Sequence, residues 1–333
     1  MELKNNELDK ILFNWFIKPS KHSIQNGGVV NHNWLIRNYD KKFILRETSQ
    51  FKTFNAIKFE HNYLNYLKNS GFGYKIPILI KTKRNKNVVC YNKTFFWLYR
   101  YIDGELKDKL NSSEIKIVAE MMVDYHKIVY KHNFPKVRKS TTDPFFKAAL
   151  TNNANNLIRN IKNKQKITKF DLEYLKILEV FLSTISKFDI ENYKKLKTYP
   201  LHTDIKNDNL IWNKNELVGI IDFDNVGRLN DTIIKDLTHF IQFSCTNDIN
   251  KHKIDFKKAK LFLDTYSNYL DLTKNEINFI PNIMMSCYMD YVIYMYWLLE
   301  HEPQKVNKNV MYAYFESFIW IKNNAEMIIS YLS

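Results

Sequence analysis

The segment His202-Thr203-Asp204-Ile205-Lys206-Asn207-Asp208-Asn209 places chemically able residues at a useful spacing. A loop carboxylate, Asp204, can accept a proton from a substrate hydroxyl. An amide five residues on, Asn209, can ligate a divalent cation. Asp222 follows 13 residues after Asn209, within Ile221-Asp222-Phe223-Asp224. A turn at Asn213–Glu216 returns the chain, so Asp222 is expected to face the same space. Two carboxylates and an amide would then surround one or two Mg2+ ions, which neutralise charge on a transferring phosphoryl group. The loop pattern alone is weak in an asparagine-rich chain, where the same residues serve as ordinary polar loop positions. Its weight comes from the β-type runs on either side and from Ile220-Ile221-Asp222-Phe223-Asp224 at the right distance.

These residues need elements to hold them. The first hundred residues read as β-rich with one helix. Val29–Ile36 alternates, and Lys42–Arg46 returns after a turn cluster, which makes a hairpin. Asn55–Lys68 has helical spacing, with Ile57, Phe59, Tyr63, Leu64 and Leu67 as its apolar side. Ile76–Ile80, Val88–Tyr91 and Phe95–Tyr101 are strand-like, and Asp103-Gly104 breaks the pattern. Helices are then expected, the first opened by Asn111 with Glu114 three residues on. Phe145–Lys162 and Asp171–Ser186 are helical too. A short β insert covers Tyr199–His202, Leu210–Trp212 and Leu217–Phe223. Helices resume at Asp231–Phe243, Phe256–Leu270, Lys274–His301 and Val306–Leu332.

This constellation resembles the aminoglycoside phosphotransferase, choline kinase and homoserine kinase-like family of small-molecule kinases. The resemblance implies an α+β, protein-kinase-like bilobal fold, with a small lobe over 1–102 and a helical lobe over 103–333. It implies Asp204 as catalytic base, Asn209 and Asp222 as metal ligands, and Asp236 as a brace of the catalytic loop. Asp231 and Asp236-Leu237 match the family's downstream pattern, Asp231 one position late. His202 becomes structural, while Asp224 is either a supporting residue near the metal or a plain exposed acid. The first lobe matches separately. Gly27-Gly28 opens the first hairpin, where backbone N–H groups can approach phosphates; a plain turn is the simpler reading of two glycines. Arg46 ends a strand where a kinase needs a cation for the α- and β-phosphates. Glu60, one helix acid among candidates that include Glu47, fits the carboxylate that pairs with that cation. Tyr99–Gly104 resembles the hinge, with adenine bonded to the Arg100 carbonyl and the Ile102 N–H. His126 is expected in the core.

The implied activity is transfer of the ATP γ-phosphate to a hydroxyl of a small metabolite, with ATP and Mg2+ as cofactors. The acceptor is expected to be homoserine-, sugar- or amino-alcohol-like. Choline or ethanolamine comes next: Tyr288, Asp290, Tyr291, Tyr294, Tyr296, Trp297 and Glu300 offer either a cationic cage or plain core. An aminoglycoside comes last, because a +15 chain repels polycations. A catalytically inactive kinase-like structural protein is the reading from another class; retention of Asp204, Asn209 and Asp222 speaks against it. No Ala-Pro-Glu follows Asp222, which speaks against a protein kinase.

Composition narrows the field. In 333 residues, 45% hydrophobic and 15% aromatic content supplies a core and excludes a disordered chain. Lysines are spread throughout rather than gathered in a stripe, so no nucleic-acid partner is expected. Three cysteines without a Cys-x-x-Cys spacing exclude a disulfide scaffold and a thiolate zinc site, and fit a reducing cytoplasm. Ile283–Leu299 contains Asp290 and four tyrosines, so it reads as a core helix and no membrane partner is expected.

Overall fold

Alternation of side chains explains the first sheet. Along β2 (His32–Asn38), Trp34 and Ile36 face one way and Leu35 the other; along β3 (Lys41–Glu47), Phe43 and Leu45 oppose Ile44. Both faces are therefore buried, each against its own helix. In the computed structural model, residues 5–17, 21–24, 32–48, 52–131, 147–226, 230–246 and 253–333 are described. Gly27 and Gly28 lie outside them.

The chain opens with α1 (Asn5–Leu12), whose Leu8, Ile11 and Leu12 pack on one face of the sheet with Trp34, Ile36, Phe43, Leu45, Phe96 and Leu98. β1 (Lys21–Ile24) pairs with β2, and β2 with β3, all antiparallel. α2 (Phe54–Asn69) starts at Thr53, whose Oγ1 accepts from the Ala56 N–H at 3.3 Å. Its Ile57 packs on the second face with Leu35, Ile44, Trp97 and Tyr99. β4 (Leu79–Ile80), β5 (Val89–Tyr91) and β6 (Thr94–Arg100) complete a six-stranded sheet of order β1-β2-β3-β6-β4, with β5 also on β6.

Next comes α3 (Ser112–Tyr130). Asn111 Oδ1 caps it, accepting from the N–H groups of Ser113 and Glu114, while Glu114 Oε2 accepts from the Asn111 N–H. α4 (Lys147–Lys162), α5 (Lys169–Ile185), the single turn α6 (Ile190–Tyr193) and β7 (Tyr199–Pro200) follow. β8 (Leu210–Asn213) and β9 (Glu216–Ile220) form a hairpin, and β10 (Asn230–Asp231) pairs with β7. The remainder is α7 (Ile233–Ser244), α8 (Phe256–Ser267), α9 (Lys274–Ile277), α10 (Ile280–His301), α11 (Lys308–Asn323) and α12 (Ala325–Leu332).

Two compact units result. The first is built mainly from Met1–Lys107 and Asp208–Arg228; the second from Asp108–Tyr130, Arg138–Asn207 and Leu229–Ser333. The β8–β9 hairpin joins the first unit through main-chain bridges, Glu105 to Trp212 and Lys75 to Gly219. The fold is α+β, an antiparallel sheet with helices followed by a mainly helical part.

Two helices expected as continuous are broken. The expected Lys274–His301 helix is α9 and α10, because Pro281 has no N–H to donate and begins the second helix instead. The expected Val306–Leu332 helix is α11 and α12, separated at Asn324. No described helix is long and apolar enough to cross a membrane. The cysteines are free thiols.

Gly104 carries the chain into the Glu105 bridge at φ 153°, and a Cβ there would lie 2.4 Å from Ile211 Cγ2 and 2.6 Å from the Trp212 carbonyl oxygen. Both conformation and space therefore demand glycine. Gly104→Ala should cost more than about 1 kcal/mol of unfolding free energy in a urea titration. An unchanged midpoint would show that the Glu105–Trp212 bridge is not a rigid seam.

Candidate functional site

The strand alternation that builds the first sheet also positions Arg46. It follows Leu45 and lies on the α2 face, opposite Trp97 in the β3–β6 register. Its guanidinium sits over the Trp97 ring at 5.7 Å, with 4% of the residue exposed. A guanidinium taken so far out of water needs carboxylate partners. Nη2 meets Asp222 Oδ1 at 2.9 Å and Asp224 Oδ1 at 3.2 Å. Burial alone would lower the Arg46 pKa, but Asp222, Asp224 and Glu60 more than offset it and hold the group charged. Its Nε is buried, with no hydrogen-bond partner among the described residues.

The carboxylates arrive by a short, strained route. β8 and β9 pair Leu210 with Ile220, and the Ile221 N–H donates to the Asn209 carbonyl at 2.9 Å. Asn209 and Asp222 thus sit at the same end of one hairpin. Asp222 takes the left-handed conformation, φ 64° and ψ 58°, before the single 3-10 turn Phe223–Asn225. Such a conformation in a non-glycine residue persists only when surroundings hold it. Phe223 supplies the anchor: it is 1% exposed and packs against Tyr63 of α2.

The expected Arg46–Glu60 pair is replaced by another. Glu60 Oε2 is 2.5 Å from Lys52 Nζ, and the same Nζ is 2.5 Å from Asp224 Oδ1. Lys52 also lies over the Trp97 ring, at 5.7 Å. Sequence reasoning missed this lysine because it stands between strand and helix, in neither pattern; its one signal was its place eight residues before Glu60. Burial raises the Glu60 pKa, opposed by Lys52 and then Arg46. The hinge candidates lie at the end of β6: Arg100 is exposed and Ile102 buried, while Lys42 pairs with Asp103.

In the second unit, Asp204 lies on the loop after β7. Thr203 has φ 55°, an unfavourable value for a β-branched residue, and its N–H donates to Asp236 Oδ1 at 2.5 Å. Asp236 Oδ2 meets His126 Nε2 at 3.3 Å, and His126 Nδ1 meets the Tyr266 hydroxyl at 2.8 Å. A fully buried chain of three side chains thus holds the loop. His202 is buried, and its Nδ1 accepts from the Asp204 N–H at 3.3 Å. Asp204 Oδ1 is 3.0 Å from Lys206 Nζ and 3.5 Å from His239 Nε2.

The aromatics of α10 do not form one cage. Tyr288 and Tyr296 are core residues, and the Tyr296 hydroxyl donates to Asp171. Tyr294 and Trp297 are exposed and stacked on each other, while Tyr291 packs on Phe243 and Tyr314.

For a divalent cation the donors fit. Asn209 and Asp222 offer an amide and a carboxylate oxygen, the hard donors that Mg2+ takes. Among the described residues no cluster of three His, Cys, Asp or Glu forms a cage. That suits an ion held by one or two side chains together with phosphates.

A sheet-and-helix unit followed by a helical unit carrying this loop defines the protein-kinase-like fold. The chain belongs to the phosphotransferase enzyme family, whose model matches residues 24–248. Among solved structures it is similar to a spectinomycin phosphotransferase in complex with ADP and spectinomycin, at TM-score 0.72 and 14% identity, covering 98% of this chain and 99% of that one. It is also similar to an amicoumacin kinase in complex with AMP-PNP, Ca2+ and its antibiotic, at TM-score 0.68 and 13% identity over 96% and 92% of the chains. A microcompartment-associated aminopropanol kinase matches at TM-score 0.64 and 14% identity over 98% of each chain. No curated protein matches the sequence.

Two buried histidines make stability depend on pH. Burial, then the Lys52 charge, lowers the His61 pKa to about 3; burial lowers that of His239 to about 4, against the pull of Asp204. The unfolded chain protonates them near 6.5. Below that value the unfolded state binds more protons, so stability should fall as pH drops from 7 to 5. The loss is about 1.4 kcal/mol per pH unit per histidine once pH is below 6.5. Urea unfolding at both pH values should show the loss, and His61→Phe should reduce it. An equal loss in that variant would mean that His61 is not a source.

Proposed function

We propose that the protein moves the γ-phosphoryl group of ATP to a hydroxyl of a small metabolite, homoserine-, sugar- or amino-alcohol-like. The observation that carries this reading is the Arg46–Asp222 contact at 2.9 Å, which joins two family positions 176 residues apart. A cation suited to phosphate beside a carboxylate suited to Mg2+ fits a site that handles a phosphorylated ligand together with its metal.

The roles follow from the chemistry of each side chain. Arg46 binds phosphate oxygens through its guanidinium. The Arg100 carbonyl and the Ile102 N–H hold the adenine. Asn209 and Asp222 hold Mg2+, which when bound neutralises charge on the transferring group. Asp204 takes the proton of the acceptor hydroxyl at its carboxylate, on a loop that Asp236 keeps in place through the Thr203 N–H.

The acceptor reading rests on mixed charge beside Asp204. Lys206 Nζ is 3.0 Å from Asp204 Oδ1, so a cation already sits against the carboxylate. A lysine at that position suits a neutral or zwitterionic acceptor better than a polycation, which needs dense acidic lining. An antibiotic acceptor is the second reading, favoured by the likeness to the spectinomycin and amicoumacin enzymes.

The test is ADP release from ATP and Mg2+ over a panel of homoserine, sugars, amino alcohols, choline and antibiotics. With the best acceptor, Asp204→Ala should lower kcat by about 10²–10⁴ and leave ATP binding intact. Undiminished turnover would remove Asp204 from the mechanism. Failure of the wild type to bind Mg·ATP would favour the inactive structural reading.

A further inference from the structure

Five charged side chains converge in the first unit, and Asp224 is the acid shared by both cations. Its Oδ1 is 3.2 Å from Arg46 Nη2 and 2.5 Å from Lys52 Nζ, and its main-chain oxygen accepts from Lys52 at 3.2 Å. Asp222 completes the Arg46 side and Glu60 the Lys52 side. Among the described residues two cations thus face three carboxylates. A free triphosphate approaching them meets more acids than cations, and its two natural anchors are already paired with carboxylates.

We propose that Asp224 makes this protein discriminate metal-chelated nucleotide from free nucleotide, acting as an internal counter-ion that withholds Arg46 and Lys52 from an unchelated triphosphate. This rests on the nucleotide reading above. Side-chain exposures decide which acid yields: Glu60 is 3% exposed, Asp224 23%. Stripping Lys52 from Glu60 would leave a buried charge uncompensated, a large penalty. Releasing Asp224 costs less, because water reaches its carboxylate. Lys52 therefore stays with Glu60, and Asp224 is the partner that exchanges. Nucleotide already carrying a divalent cation is less negative and brings the carboxylates a replacement partner. Free nucleotide brings none and must displace Asp224 against its attraction to both cations.

Calorimetric titration of ATP in Mg2+ and in EDTA tests this without an acceptor. Wild type should bind Mg·ATP at least about tenfold more tightly than free ATP. Asp224→Asn should gain about tenfold or more for free ATP, narrowing that gap. Asp224→Glu should keep the gap, and Lys52→Met added to Asp224→Asn should abolish the gain. Melting curves establish that each variant is folded, and Asp224→Ser replaces the Asn variant if that one is not. Unchanged or weaker binding of free ATP by the neutral variant overturns the proposal. So does a wild type that binds both forms equally. A wild type that binds neither form overturns the nucleotide reading instead.

Discussion

Burial of the Arg46 guanidinium is the constraint on which the first unit depends. A cation held over Trp97 with so little access to water cannot stand alone. β3 and β6 turn Arg46 and Trp97 to the α2 face, and α2 brings Glu60 to the same side. The β8–β9 hairpin delivers Asp222 and Asp224, with Phe223 driven between them into the core. Lys52 closes the cluster between Glu60 and Asp224. Each element is legible as a means of meeting one buried charge.

Backbone strain is found in both units. Thr203 and Asp222 both hold positive φ; Thr203 precedes Asp204, and Asp222 is itself a carboxylate to which a role is proposed. Strained residues survive where surroundings over-determine them. For Asp222 the determinant is the Phe223 anchor; for Thr203 it is the buried Asp236–His126–Tyr266 chain. The same helix that supplies Asp236 presents His239 one turn later, near Asp204.

The sequence was informative where local pattern and chemistry coincide. The Asn111–Glu114 cap, the α2 apolar side and the Asn213–Glu216 turn follow from spacing alone, and the structure contains each of them. Pro281 marks a helix start that the run of apolar residues obscured. Lys52 was unreadable for a different reason: a lysine outside any periodic segment has no pattern, and only the folded chain shows which acids it meets. The aromatic run of α10 misleads as one group, since helical rotation sends Tyr288 and Tyr296 inward and Tyr294 and Trp297 outward.

Net charge and site charge answer different questions. The chain carries +15 overall, yet the cluster around Arg46 holds two cations and three carboxylates. A positive field over the whole surface draws anions of any kind and raises their rate of encounter. It cannot sort them, because screening erases its detail within about 10 Å at 0.1 M salt. Sorting must happen at contact, where the dielectric is low and each pairing is decided by distance and burial. A basic protein that handles a polyanion therefore gains selectivity from acids placed among its cations, since those acids set what an incoming anion must bring with it.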